Sequence, residues 1–143
     1  MNSLIREAEK KDIPKMCELM EELTGHEISE AGMLDRLVMI RNSNIDELFV
    51  YEQDGIVRGV LGFRIRENIE EVSRFGEVSV LVTNSDSRRL GIGKAMIAFA
   101  EKLAKEKGCI GTWLVSGFGR EEAAHSFYKK LGYEINGYRF VKK

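Results

Sequence analysis

Apolar and polar positions follow two different rhythms along this chain, and the two rhythms predict two kinds of element. Alternating or β-branched apolar runs predict strands, whereas apolar residues spaced three and four apart predict amphipathic helices. The predicted strands cover residues 3–6, 48–52, 56–65, 78–83 and 110–115. The predicted helices cover residues 12–25, 33–41, 94–107 and 121–131. Strands and helices are therefore expected to be interleaved along the chain.

Turn residues and connections indicate how the predicted strands pair. Asp54-Gly55 and Asn136-Gly137 are two-residue hairpin signals, because both central positions of such a turn favour positive φ. The second signal predicts a closing hairpin within residues 133–141. A helix joins the strands at 78–83 and 110–115, so these two should lie parallel. The expected fold is α/β: a mixed, mostly antiparallel sheet of six or seven strands, with helices on both faces and one parallel strand pair.

Composition places the chain among ordinary soluble domains. With 143 residues, 43% of them hydrophobic and 31% charged, residues 1–143 are expected to form a single domain. No apolar run is long enough to span a bilayer, and the N-terminus lacks a signal-peptide core, so no membrane partner and a cytoplasmic location are expected. Cys17 and Cys109 are far apart in sequence, with two histidines as the other soft ligands, so no disulfide framework and no metal site are predicted.

The net charge of −1 is unevenly distributed. Residues 88–107 contain six Lys/Arg and two Glu, a local charge of +4, which leaves −5 on the rest of the chain. A positive segment suits an anionic cofactor, and the acidic remainder could suit a cationic acceptor. No basic stripe with interleaved aromatic residues is present, so no nucleic-acid partner is predicted.

A glycine-containing turn connects the strand at 78–83 to the helix at 94–107. Glycines and a helix start bring backbone N–H groups and a positive dipole end close to a ligand, which favours a phosphate site. A Walker loop fails because Arg88 stands where its first glycine is needed and Ala95 follows Lys94. A dinucleotide fingerprint fails at Met96. An acyl-CoA turn, Gln/Arg-x-x-Gly-x-Gly/Ala, fits at every position from Arg88 to Gly93.

This turn, with its flanking strand and helix, resembles that of the GNAT family of N-acetyltransferases. The resemblance implies acetyl-CoA as acetyl donor and acetyl transfer to a primary amine by direct attack on the thioester. If the strand at 78–83 parts from its parallel neighbour, its free amides could bind the pantetheine and polarise the carbonyl. The candidate cofactor-binding residues are Leu81, Val82, Thr83, Arg88, Arg89, Leu90, Gly91, Ile92, Gly93 and Lys94.

A second segment, residues 123–133, is similar to the late helix of the same family. The resemblance gives Tyr128 the role of protonating the leaving thiolate, which a phenol with a pKa near 10 can do at neutral pH. A core aromatic residue is the alternative interpretation. The chain departs from the family pattern at Glu121, where an asparagine often contacts the cofactor.

The general base and the acceptor are less constrained by the sequence. Glu77 is the first candidate base by resemblance, and His125 is the second because its imidazole titrates near neutrality. Residues 25–41 are expected to cover the acceptor site by resemblance, with His26, Glu27 and Glu30 as candidate contacts. The partner is expected to be a small, cationic amine; a peptide or protein amine, a homodimer and a non-catalytic acyl-CoA-binding domain remain open alternatives.

Overall fold

A computed structural model describes residues 2–87, 91–115 and 121–143, with the backbone alone at residues 86 and 121–123. The strands are β1 (Ser3–Glu7), β2 (Asp46–Gln53), β3 (Ile56–Asn68), β4 (Ser73–Thr83) and β5 (Gly111–Leu114). The helices are α1 (Ile13–Thr24), α2 (Glu30–Arg41), α3 (Ile92–Glu106) and α4 (Glu121–Lys130). Short 3₁₀ turns at Lys10–Asp12 and Ser85–Ser87 precede α1 and follow β4.

The strands form one sheet in the order β1-β2-β3-β4-β5. The first three pairs are antiparallel and β4–β5 is parallel, which confirms the mixed sheet with one parallel pair. Asp54 and Gly55 have φ values of 51° and 80°, so the β2–β3 hairpin has the positive-φ turn that its sequence predicts.

The described residues contain five strands rather than six or seven. The predicted closing hairpin is not formed, because residues 133–143 have no strand pairing and Tyr138 and Phe140 are 88% and 94% exposed. A two-stranded hairpin is marginal in water unless it buries an apolar face. The turn signal at Asn136-Gly137 was therefore not sufficient to predict a strand pair.

Two apolar clusters cover the sheet, one on each face. The first packs α1 and α2 against side chains such as Val60 and Val82. The second packs α3 and α4 against side chains such as Phe63 and Val78. The sheet is thus enclosed by helices on both faces, as predicted. None of the helices in the described part of the chain is both long and apolar enough to cross a membrane.

A β-bulge at Ser79 interrupts the regular alternation of β4. Gly62 of β3 pairs with Val80, and the next residue, Phe63, pairs with Val78, so Ser79 is an extra residue on β4. As a result, Val78 packs in the α3–α4 cluster while Val80 packs on the α1–α2 side. The bulge changes the direction of the side chains at the point where the candidate site begins.

Candidate active site

The parallel pairing of β4 with β5 is short. It runs from Phe75 opposite Gly111 to Val78 opposite Leu114, where β5 ends. β4 continues to Thr83, paired with β3 alone among the described residues. Residues 79–83, here called the open edge, therefore have one side without a strand partner in the described part of the chain.

The backbone direction along the open edge follows from one backbone hydrogen bond. The Asn84 N–H donates to the Arg58 carbonyl of β3 at 2.8 Å. Because the N–H groups of successive residues in a strand point to opposite sides, the Val82 amide also faces β3. The amides of Leu81 and Thr83 face the open side. Two of the three predicted strand residues thus present amide donors on a side without a strand partner among the described residues, while Val82 contributes a buried side chain.

The start of α3 follows the open edge in the chain. Gly91 is the N-cap residue, and its φ of 78° is in the left-handed region. Because glycine has no side chain, it makes no capping hydrogen bond to the first turn of α3. Among the described residues, no N-cap side chain therefore occupies the first N–H groups of α3, which suits an anion. Ile92 is 2% exposed and Lys94 is exposed. The predictions for Arg88, Arg89 and Leu90 lie outside the described residues.

Helix α4 packs against this helix start. A Cβ built on Gly93 would lie 3.4 Å from the Phe127 ring, so the glycine is in close contact with α4. Tyr128 is half-buried in the α3–α4 cluster, with its ring edge-on to Phe127 at 5.1 Å and to Tyr133 at 6.1 Å between centroids. The candidate acid therefore belongs to the helical layer that contains the start of α3.

Tyr133, which sequence reasoning did not select, connects α4 to its neighbours. Its hydroxyl donates to Glu101 Oε2 of α3 at 3.0 Å and lies 2.7 Å from Thr112 Oγ1 of β5. Its N–H donates to the Tyr128 carbonyl at 3.0 Å. Burial raises the pKa of Tyr133 to about 12, so the phenol stays protonated through the neutral range. These contacts hold the end of α4 next to β5.

Glu77 lies on the other face of the sheet. Its strand neighbours Gly76 and Val78 point into the α3–α4 cluster, so the Glu77 side chain points away from Tyr128. The side chain is 14% exposed, and its buried Oε1 has no hydrogen-bond partner among the described residues. A buried carboxylate oxygen without a donor is costly.

Two arginines of β3 border Glu77. Arg64 Nη1 and Arg66 Nε each lie 3.9 Å from Glu77 Oε1. Arg64 Nε donates to Asp46 Oδ1 at 2.7 Å, and this hydrogen bond raises the Arg64 pKa. The Arg66 guanidinium lies 5.8 Å from the centroid of the Trp113 ring. We call these five residues the Glu77 cluster. The alternation of side chains along each strand could have predicted that these residues share one face of the sheet, but no sequence motif identifies them as a site.

The remaining candidates lie apart from this cluster. His125 is half-buried on α4, one turn before Tyr128, and is thus on the same helix as the candidate acid. His26, Glu27 and Glu30 are exposed, in the α1–α2 connection and at the first residue of α2. Of the three catalytic candidates, Tyr128 and His125 share one helix, and Glu77 approaches from the opposite face of the sheet.

The model of the acetyltransferase (GNAT) family matches residues 3–133 of this chain. The chain belongs to the GNAT family of acetyltransferases. The protein is accordingly an acyltransferase of the N-acetyltransferase type, as the sequence predicts. A curated relative, the aminoalkylphosphonate N-acetyltransferase of Salmonella typhimurium, is 26% identical over 139 residues, which cover 96% of this chain and 89% of the relative.

Solved structures share the fold. A transcriptional regulator from Bacillus halodurans superposes with a TM-score of 0.89 at 21% identity, covering 99% of each chain. The aminoglycoside N-acetyltransferase AAC(6')-Iy in complex with CoA superposes with a TM-score of 0.85 at 17% identity, covering 99% of this chain and 94% of that one. That enzyme has also been solved with a bisubstrate analogue that joins CoA to an acetylated neamine. At these identities the likeness concerns the fold.

Proposed function

We propose that this acyltransferase moves an acetyl group from acetyl-CoA to the primary amine of a small molecule, by direct attack of the amine on the thioester. The observation that carries the proposal is the parting of β4 from β5 after Val78 and Leu114. Residues 79–83 then form a strand edge without a strand partner on one side among the described residues. This edge can pair with the amide-rich pantetheine arm in the way that β5 pairs with residues 75–78 of β4. A family neighbour that binds CoA supports this use of the fold.

The donor is proposed to lie along the open edge and across the start of α3. The N–H groups of Leu81 and Thr83 bind the pantetheine. A backbone N–H of the bulged segment around Ser79 polarises the thioester carbonyl. The turn from residue 88 to Lys94 holds the pyrophosphate on backbone amides, with the positive end of the α3 dipole nearby. Gly91 and Gly93 give the phosphate close access to the backbone.

The chemistry requires one base and one acid. The neutral amine attacks the thioester carbonyl carbon, and the tetrahedral intermediate collapses with cleavage of the C–S bond. Glu77 accepts the proton lost by the amine, directly or through water, and Tyr128 gives its proton to the departing thiolate. The two groups approach the sheet from opposite faces, which suits an amine and a thiolate on opposite sides of the same carbonyl.

The acceptor is proposed to be a small amine rather than a protein. The curated relative is named for an aminoalkylphosphonate and a structural neighbour for an aminoglycoside, both small amines. The charge of −5 outside the cofactor segment suggested a cationic molecule, whereas the Glu77 cluster holds both signs of charge. A peptide amine remains the alternative acceptor.

The proposed function is tested by following thiol release from acetyl-CoA over a panel of small amines, amino acids and amino-terminal peptides, with mass spectrometry of the acetylated product. We expect turnover with at least one small amine. Tight binding of acetyl-CoA without thiol release on any amine would instead support the non-catalytic acyl-CoA-binding interpretation. Turnover confined to peptides would replace the small acceptor by a peptide.

The choice of base is tested by pH profiles of kcat/KM for Glu77→Gln and His125→Ala. Removal of the true base should eliminate the inflection that this base gives to the acidic limb of the profile, and leave only the ionisation of the amine substrate itself. We expect this loss in Glu77→Gln and an unchanged profile in His125→Ala. The reverse pattern would assign the base to His125, and two unchanged profiles would remove both residues from the mechanism.

A further inference from the structure

We propose that Arg66, with Arg64 beside it, forms an anion subsite, so that the acceptor is an amine that also bears a carboxylate, phosphonate or phosphate group. The inference rests on the proposed function, since it names the acceptor class of the same site. It depends on which hydrogen bonds and ion pairs the four charged side chains of the Glu77 cluster form.

The carboxylate of Asp46 is already matched. It accepts the 2.7 Å hydrogen bond from Arg64 Nε and a second one, at 3.1 Å, from the Ser43 hydroxyl. This contact uses one of the five N–H donors of Arg64 and fixes the plane of its guanidinium. Arg64 is 35% exposed, so its remaining donors are accessible to a ligand while its position is held by β2.

The guanidinium of Arg66 is not matched in the same way. It makes no hydrogen bond to any residue in the described ranges, and its Nε is 3.9 Å from Glu77 Oε1, beyond hydrogen-bond reach. The side chain is 47% exposed and lies over the face of Trp113 at 5.8 Å. Stacking on an aromatic ring holds the planar fork in place and leaves its edge free for a bidentate oxyanion.

Glu77 is the complementary group, and Arg64 and Arg66 each form a 3.9 Å ion pair with its Oε1. Its buried Oε1 has no donor among the described residues, whereas an ammonium or amine of the acceptor can supply one. The site thus presents a carboxylate oxygen without a hydrogen-bond donor among the described residues, next to a guanidinium that contacts it only as a 3.9 Å ion pair. A zwitterionic acceptor satisfies both, whereas a second cationic group on the acceptor would face two guanidiniums.

The position of the cluster agrees with this assignment. Glu77 pairs with Trp113, one residue before the last β4–β5 pair, so the cluster adjoins the open edge. The amine held at Glu77 is therefore near the thioester that the open edge is proposed to hold. Because Arg66 Nε is so close to Glu77, the acidic group and the amine of the acceptor are separated by a short linker.

Four probe amines of similar length test the inference on the full chain: β-alanine, phosphoethanolamine, propylamine and 1,3-diaminopropane. We expect the parent protein to acetylate β-alanine or phosphoethanolamine with kcat/KM at least about 10-fold above propylamine and 1,3-diaminopropane, as charge-assisted hydrogen bonds predict. The preferred one of the two acids identifies the oxyanion as a carboxylate or a phosphate.

The variant Arg66→Gln removes the charge but keeps an exposed polar side chain. It should raise KM for the acid-bearing amines by on the order of 10-fold with little change in kcat, so that their advantage over propylamine is lost. The matched control is Arg74→Gln, which removes the same charge on the other face of the sheet, where Arg74 contacts Glu67 and the Lys107 carbonyl. The control should leave KM for every probe unchanged.

The outcomes separate the inference from the function on which it rests. Acetylation of propylamine or 1,3-diaminopropane as efficient as that of the acids, or an Arg66→Gln variant with unchanged KM, would overturn the anion subsite and leave the transferase intact. If no probe is acetylated, calorimetry of phosphoethanolamine and β-alanine on the CoA-saturated protein decides. Binding that Arg66→Gln weakens supports the subsite even then, and absence of binding overturns it.

Discussion

The two halves of β4 differ in what their backbones bind. Residues 73–78 lie between β3 and β5, so both sides of the strand are paired. Residues 79–83 pair with β3 alone among the described residues, after the bulge at Ser79. The comparison shows that one strand is paired on both sides along its first half and, among the described residues, on one side along its second half.

The paired half of β4 and the start of α3 also differ in how much room surrounds their glycines. A Cβ on Gly76, in the paired half, would lie 2.6 Å from the Phe63 ring. A Cβ on Gly91, just beyond the open edge, would have no atom within 4 Å among the described residues. The paired half is therefore constrained by packing, while the region after the open edge is constrained by backbone conformation. We therefore expect substitutions in the paired half to change stability, and substitutions at the start of α3 to change acetyl-CoA binding.

The largest effect is expected for Tyr128→Phe, on the catalytic side of the comparison. Loss of the phenolic proton should lower kcat by on the order of 10²-fold or more, about 2.7 kcal/mol in the barrier, with acetyl-CoA affinity retained. Steady-state kinetics and calorimetry measure the two quantities. Phe127, the neighbouring ring, offers a control: Phe127→Leu should perturb packing but keep the acid. Unchanged kcat in Tyr128→Phe, with chemistry rate-limiting, would assign the tyrosine to the core.

Gly76→Ala tests the paired half. The added methyl group would overlap the Phe63 ring and crowd Ala104 Cβ at 3.0 Å, so the free energy of unfolding should fall by about 1–3 kcal/mol. Urea denaturation measures the change, and activity per folded molecule should be preserved. Gly137→Ala, whose added Cβ meets no described atom within 4 Å, is the control with no expected loss. Equal stability of both variants would contradict the tight packing of this half.

Gly91→Ala tests the backbone at the start of α3. The residue has φ of 78°, which costs an L-residue about 1 kcal/mol even though the Cβ has space. We expect a loss of stability of about that size, accompanied by weaker acetyl-CoA binding as the helix start shifts. Gly91→Asn should recover part of both, because asparagine tolerates the left-handed region. A fully stable Gly91→Ala variant would show that this conformation is not required.

Gly93→Ala should have the smallest effect on the fold. Its Cβ would make an ordinary contact with Phe127 at 3.4 Å, and alanine is favoured over glycine within a helix by about 0.5–1 kcal/mol. Stability should therefore be unchanged or slightly higher, while acetyl-CoA affinity falls because the methyl group limits access to the backbone. Unaltered affinity would separate Gly93 from the pyrophosphate.

Sequence reasoning predicted most of the fold because local signals agreed with tertiary contacts. Asp54-Gly55 formed its hairpin, and the helix between the two strands specified a parallel pair. The closing hairpin at 133–141 failed because a turn signal alone does not provide a face to bury. The Glu77 cluster was only partly predictable: Glu77 came from resemblance, whereas Arg64, Arg66 and Trp113 reach it through strand register across β3, β4 and β5. No local pattern encodes that register.

The most direct test of the open edge is amide hydrogen exchange of β4, measured residue by residue by NMR with and without acetyl-CoA. The amides of Leu81 and Thr83, which face the open side, should become protected when acetyl-CoA binds. The amide of Val82, which faces β3, should be protected in both states and serves as the internal reference. Protection at Leu81 and Thr83 that does not change at saturating acetyl-CoA would contradict the proposal that the cofactor pairs with this edge.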